Sequence, residues 1–310
     1  MKIAVLTDSS AYLTKEQQEK YQIDVLPIPI IWDGKTYRDL IDIGYEEFYQ
    51  KLAQATNLPT TSQPAIGDLK KKIDEYVDQG YTDVIIVSIS SGLSSYYSTV
   101  MSVAREENRI KIHPFDSKIT CAGEADFAML AGRLVEAGAD VDLIMHDLID
   151  LQKTMDVRFM VDDLSHLKRT GRLSNAASFV GTLFKIKPIL SMDVQGEGHI
   201  SAIAKERQTK RAYKHIQDDF DNLTKNMPYE IQCTIFDSLD PEQKKKWVED
   251  YSAKSPKYKF DNSIIGPVVG VHVGQGTMAM IWCRDLDDYF DENGQPVKDI
   301  KSKEVADETK

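Results

Sequence analysis

Four segments of this chain concentrate side chains that could bind an anion or act on an acyl group. Thr60-Thr61-Ser62-Gln63-Pro64 stands just ahead of an expected helix beginning near Ala65. Its hydroxyls, with the free amides of a helix start, would form an anion site. The same residues would equally serve as a plain cap, with Pro fitting the first turn. Ser88-Ile89-Ser90-Ser91-Gly92-Leu93-Ser94-Ser95 follows a buried strand and precedes a helix. Five hydroxyls there exceed what one cap requires, and ligands of open α/β sheets gather at the carboxyl ends of strands. The run contains no GxSxG elbow and no GKS or GKT phosphate loop.

The third segment, Leu167-Lys168-Arg169-Thr170-Gly171-Arg172-Leu173-Ser174, places three cations close together in an acidic chain. It reads as a solvated turn or as a site for an anion or a partner. The fourth is Gly266-Pro267-Val268-Val269-Gly270-Val271-His272-Val273-Gly274-Gln275-Gly276-Thr277. Valines flanking His272 predict a strand over Val268–Val273, where a lone histidine is more often a core residue than a catalyst. Gly274, Gly276 and Ala279 match the GxGxxA pattern, but Thr277 to Cys283 reads as a strand rather than the helix a dinucleotide site needs.

The elements that must carry these segments alternate. Ile3 to Thr7, Ile23 to Ile28, Asp83 to Ser88 and residues 110–115 read as strands. The first and third are continuously apolar, as in a parallel sheet covered on both faces. Helices are predicted at Lys15–Tyr21, 45–55, Ala65–Asp78, 95–106 and 122–137. Beyond residue 157 strands are predicted at Arg158–Val161, Lys187–Met192, Ile200–Lys205, Glu230–Phe236 and Met278–Cys283, and helices at 175–185, 208–225 and 241–253. The pattern predicts two α/β domains. Residues 1–156 hold a mostly parallel sheet with crossover helices, residues 157–290 a mixed sheet with helices, and 291–310 a charged, frayed tail.

Composition narrows the function. The 310 residues carry a net charge of −11, which opposes nucleic-acid binding because that affinity comes from neutralising phosphates. Cys121, Cys233 and Cys283 form no CxxC, so buried free thiols are expected rather than a disulfide framework or a zinc site. No stretch approaches the roughly 18 apolar residues of a membrane span, and Ile3–Leu6 is too short for a signal peptide. The expectation is a cytoplasmic protein with no stable membrane insertion.

Taken in this order and spacing, the segments resemble the DegV family. The resemblance rests on Thr7-Asp8-Ser9-Ser10, Thr61-Ser62-Gln63-Pro64, Ser90-Ser91-Gly92-Leu93-Ser94, Gly171-Arg172-Leu173-Ser174 and the Gly-Pro-Val stretch running to His272. It covers about residues 1–285. Ser95 and Thr170 stand where the family often has glycine. The resemblance implies a fatty-acid-binding protein without a catalytic residue or cofactor of its own. It would present a long-chain fatty acid for phosphorylation by a partner fatty acid kinase catalytic protein. It further implies that Thr61 and Ser94, with Ser62 and His272 beside them, hold the carboxylate. Arg172 and Arg207 would face the phosphate or the partner.

Physical chemistry suits that job. Burying a methylene is worth about 0.8 kcal/mol, so a tail of roughly 14–16 methylenes gives roughly 11–13 kcal/mol before binding costs are subtracted. Neutral hydroxyls can satisfy a carboxylate while leaving it open to phosphorylation. Phe179-Val180-Gly181-Thr182-Leu183-Phe184 has helical apolar spacing that suits core packing or a tunnel wall. The competing readings are a serine-dependent acyl hydrolase or transferase using Ser94 with His272, for which no orienting acid is evident, a nucleotide-binding protein and a ligand-free interaction module.

Overall fold

The computed structural model describes residues 2–174 and 186–297. Along the chain run β1 (Ile3–Asp8), α1 (Lys15–Lys20), β2 (Ile23–Leu26), β3 (Pro29–Trp32), β4 (Lys35–Arg38), α2 (Tyr45–Ala53), β5 (Thr60–Thr61) and α3 (Ile66–Asp78). Then come β6 (Asp83–Ser88), α4 (Tyr96–Glu106), β7 (Lys111–Asp116), α5 (Ala122–Glu136), α6 (Val141–Thr154), β8 (Asp156–Met160) and α7 (Ser165–Thr170). The rest comprises β9 (Lys187–Met192), β10 (Ile200–Glu206), α8 (Thr209–Thr224), β11 (Ile231–Asp237), α9 (Pro241–Lys254), β12 (Lys259–Ile264), α10 (Pro267–Val273) and β13 (Met278–Arg284).

Strands β2-β1-β6-β7 form a parallel sheet. Every residue of β1 and β6 is buried, as their unbroken apolar runs require of strands covered on both faces. One face packs on α3 and α4 through Leu69, Ile73, Tyr96 and Val100. The other packs on α5 and α6 through Phe127, Leu130, Ile144 and Leu148. Helix α1 starts on a reciprocal cap, in which Thr14 Oγ1 accepts from Gln17 N–H and the Gln17 side chain accepts from Thr14 N–H.

The second sheet runs β10-β9-β8-β13-β11-β12 and is mixed, because only β11 and β12 pair in parallel. Its outer face buries Trp247, Tyr251 and Phe220 of α8 and α9. Its inner face shares one hydrophobic core with the first sheet, joining Val5, Ile85 and Phe115 to Phe159, Leu190 and Ile281. The two sheets thus meet across α5 and α6, and the seam between them is where the candidate site lies.

Some elements escape the sequence reading. Strands β3, β4 and β5 form a small antiparallel sheet. Its β3–β4 hairpin turns at Asp33-Gly34, both at positive φ, the Asp-Gly signature of a two-residue turn. Helices α6 and α7 and strand β12 are likewise additions. Two local expectations are corrected. Val268–Val273 is not a strand: Pro267 opens the helix α10 there, and valines on both its buried and its cavity-facing sides erase the amphipathic period that would betray a helix. Thr60–Gln63 is not a cap: Thr61 belongs to β5, and α3 starts after Ala65 without a side-chain cap. The helix expected at 175–185 lies outside the described residues.

Candidate functional site

A cavity of about 400 Å³ opens where the small sheet, the loop after β6, the segment after α7 and helix α10 converge. Thr61, Ser62, Ser94, Arg172 and His272 all line it, together with Gln63, Ser95, Leu93 and Val269. Residues separated by 211 positions meet here: Thr61 Oγ1 lies 2.9 Å from His272 Nε2. Strand β5 delivers Thr61 by pairing it with Ile30 of β3. Helix α10 delivers His272 because the buried Pro267 and Val271 anchor the helix in the core.

The loop after β6 is built to be firm. Ser94 N–H donates to Ser90 C=O at 3.0 Å, and Ser94 Oγ accepts the Tyr96 N–H at 3.2 Å. Ser90 Oγ donates to Gly198 C=O at 2.9 Å, tying the loop to the turn before β10. Gln63 Oε1 accepts from both Ser95 Oγ and Thr99 Oγ1 at 3.0 Å, so the Thr61 segment and the Ser94 segment are joined directly. The sequence reading did not select Gln63 as a site residue, although it stands inside the Thr61-Ser62-Gln63-Pro64 run. Ser62 is exposed, and its hydroxyl donates to Gln63 C=O at 3.2 Å.

Burial first, then the charges of Arg172, Arg169 and His166, push His272 down to about 3. It is a neutral imidazole at ordinary pH, fit to exchange hydrogen bonds but too weak a base for general base catalysis. Its Nδ1 is buried without a partner, so no carboxylate orients the ring. Ser94 therefore has neither a base within the Thr61–His272 pair nor an acid behind it, and the arrangement is not a hydrolytic triad.

The basic segment divides. Arg172 Nε donates to Leu93 C=O at 3.3 Å and its guanidinium also reaches Thr170 C=O, placing a cation on the cavity wall beside Ser94. Arg169 instead spans Pro59 C=O and Val271 C=O, both at 3.3 Å, and so staples α7 to the β5 approach and to α10. Arg207 stands exposed just past the end of β10 and is not on the cavity wall.

A second compartment of about 40 Å³ continues inward between the sheets and shares Thr120, Ile200, Val269 and Val273 with the first. Val157, Phe159, Met192 and Phe236 complete its apolar wall. Phe179–Phe184, considered above as a tunnel wall, lies outside the described residues. Among the described residues no group of His, Cys, Asp and Glu could hold a metal ion, and no helix is long and apolar enough to cross a membrane. Cys121, Cys233 and Cys283 are buried free thiols. The discounted GxGxxA match leads into strand β13, not a helix.

A family model described as "Uncharacterised protein, DegV family" matches residues 2–285. The chain belongs to the DegV family. Among curated proteins it is similar to Protein DegV of Bacillus subtilis, with 37% identity over 285 residues covering 91% of this chain and 99% of that one. Among solved DegV structures, one described as a fatty acid binding protein from Bacillus subtilis aligns with a TM-score of 0.85 at 36% identity, covering 92% of this chain and 100% of the other. A fatty acid binding DegV protein from Streptococcus agalactiae aligns with a TM-score of 0.85 at 30% identity, covering 92% and 99%. The DegV architecture, a parallel four-stranded sheet beside a mixed six-stranded one, is the architecture expected from the sequence.

Proposed function

We propose that this chain binds a long-chain fatty acid, holding the carboxylate between Thr61 and Ser94 with the tail in the cavity of about 400 Å³ and directed toward the apolar compartment between the sheets. The observation that carries the reading is the pairing of a hydroxyl-lined cavity with an adjoining apolar compartment at the sheet seam. The DegV relatives from Bacillus subtilis and Streptococcus agalactiae, described as fatty acid binding, support it.

The Thr61–His272 contact suits a head-group site. With a carboxylate present, Thr61 donates its one hydroxyl proton to the ligand and accepts from His272 Nε2–H. A hydroxyl has both capacities, and neutral histidine supplies the donor in one tautomer. Ser94 supplies a second neutral donor. Buried carboxylate oxygens need such partners, each missing one costing about 1–3 kcal/mol. The tail supplies the affinity at about 0.8 kcal/mol per methylene.

The finer reading is that the protein presents this fatty acid to a fatty acid kinase catalytic partner in the cytoplasm and performs no chemistry itself. Arg172, on the cavity wall, would meet the phosphate or the partner, and exposed Arg207 would face the partner alone. Native mass spectrometry of freshly purified protein, followed by denaturation, tests the binding. A co-purified long-chain fatty acid in one-to-one ratio is expected, and a ligand of another class would overturn the proposal.

A further inference from the structure

The Thr7-Asp8-Ser9-Ser10 run does not line the cavity, yet all four residues are buried. Its contacts lead to the cavity wall. Ser9 Oγ accepts the Ile28 N–H at 3.0 Å and donates to Asp39 Oδ2 at 2.8 Å. Asp8 Oδ2 accepts the Ile89 N–H at 2.9 Å, and its Oδ1 accepts the Ser10 N–H at 3.0 Å. Ile28 and Ile89 both line the cavity. Glu124, buried in the first turn of α5, closes the group, with the Thr7 hydroxyl donating to its Oε1 at 3.0 Å.

Two charged carboxyls would leave this group one proton short. Ser10 Oγ lies 2.7 Å from Asp8 Oδ1 and 2.7 Å from Glu124 Oε2. A hydroxyl has one proton and donates to one acceptor, so one of the two carboxyls must bring its own. Asp8 already accepts two backbone N–H groups, the pattern that stabilises a carboxylate. Glu124 accepts no backbone N–H group in the contacts above. No Lys, Arg or His acts on either carboxyl among their main influences in the described residues. The other titratable groups around the pair, Tyr96, Asp39 and Cys121, bring no positive charge.

We infer that Glu124 is a neutral acid donating its proton to the Ser10–Asp8 pair, and that the Glu124, Ser10 and Asp8 group is a positioning device that holds Ile89 and the loop behind it at the cavity wall. Burial pushes Glu124 well upward, the direction this assignment requires, whereas at Asp8 the N–H groups of Ile89 and Ser10 oppose the same push. Asp8 is left as the charged member because it is the one that grips the backbone. The loop it fixes begins at Ile89 and ends at Ser94, five residues on. The consequence for lipid rests on the function proposed above, whereas the protonation of Glu124 does not.

Infrared difference spectroscopy of the wild type against Glu124→Gln at neutral pH reads the proton directly. A protonated-carboxyl C=O stretch is expected in the wild-type-minus-variant difference, where the other buried acids cancel; its absence from that difference overturns the assignment. Fatty-acid retention reads the positioning role. Glu124→Ala is expected to release lipid about tenfold faster, and Glu124→Gln to restore retention, because its amide offers N–H to Ser10 and C=O to Thr7. Equal losses in the two variants would overturn the role. Asp8→Asn supplies an independent reading should Glu124→Ala not fold. Exchange of the Ile89 amide should accelerate about tenfold, and unchanged exchange contradicts the device. A wild type that holds no fatty acid would remove the proposed function while the infrared band still decides the proton.

Discussion

Thr61 and His272 stand 2.9 Å apart, oxygen to nitrogen, although 211 residues separate them in the chain. The contact joins the last strand of the small sheet to helix α10 and brings a neutral donor pair to the cavity. Removing it should weaken lipid binding without unfolding the protein, because Thr61 is only half-buried. Thr61→Ala is expected to cost about 1–2 kcal/mol, roughly 5- to 30-fold in affinity for a fluorescent fatty acid. Equal affinity in the variant would show that Thr61 does not touch the head group.

Acid should destabilise the fold partly through His272. Its ordinary value is 6.5 and burial, reinforced by Arg172, Arg169 and His166, brings it to about 3 in the folded chain. Between these values the unfolded state binds more protons, so stability falls as pH drops from about 6.5 to 3. Urea midpoints measured across that window should fall less steeply in His272→Asn than in the wild type.

Asp126 has the opposite sign. Burial raises it to about 8, while Gln232 Nε2 donates to it at 2.9 Å. The folded state holds its proton longer than the unfolded state, so stability is lost as pH rises from about 4 to 8. Asp126→Asn should gain melting temperature over the wild type at pH 8 and gain little at pH 4.

Helix α10 tolerates no bulk where it crosses α2. A Cβ at Gly270 would stand 2.5 Å from Tyr49 Oη and 2.8 Å from a Phe48 ring carbon, both fully buried. Gly270→Ala should destabilise by about 1–3 kcal/mol through overpacking. It should also disturb His272, two residues along, so lipid retention and melting temperature are expected to fall together.

Arg172→Ala separates holding from presenting. Arg172 meets Leu93 C=O at a long 3.3 Å, so lipid affinity should change by no more than roughly threefold. Phosphorylation of the bound lipid by a kinase partner should fall at least about tenfold if the guanidinium pairs with phosphate. Lost lipid with normal turnover per bound lipid would reverse the assignment.

Much of the architecture is written locally. The unbroken runs of β1 and β6 declare a doubly covered parallel sheet, and the hydroxyls after β6 mark its carboxyl edge. What the sequence hides is set by tertiary burial. Helix α10 is mostly buried and carries valines toward both the core and the cavity, so its sequence reads as a strand. Thr61 resembles a cap because Pro64 follows it, and only pairing with Ile30 makes it a strand residue. The neighbouring hairpin at Asp33-Gly34 is a legible signal, in four-residue strands too short for periodicity to show. The division between Arg172 on the cavity wall and Arg169 stapling α7 to α10 depends on contacts 79 to 110 residues away, which spacing does not encode.

Carbon-13 NMR of protein loaded with carboxyl-labelled palmitate probes the head group itself. The account predicts one bound carboxyl resonance, distinct from free palmitate, that Thr61→Ala and Ser94→Ala each displace. A bound resonance that neither substitution moves would place the carboxylate elsewhere and contradict the site.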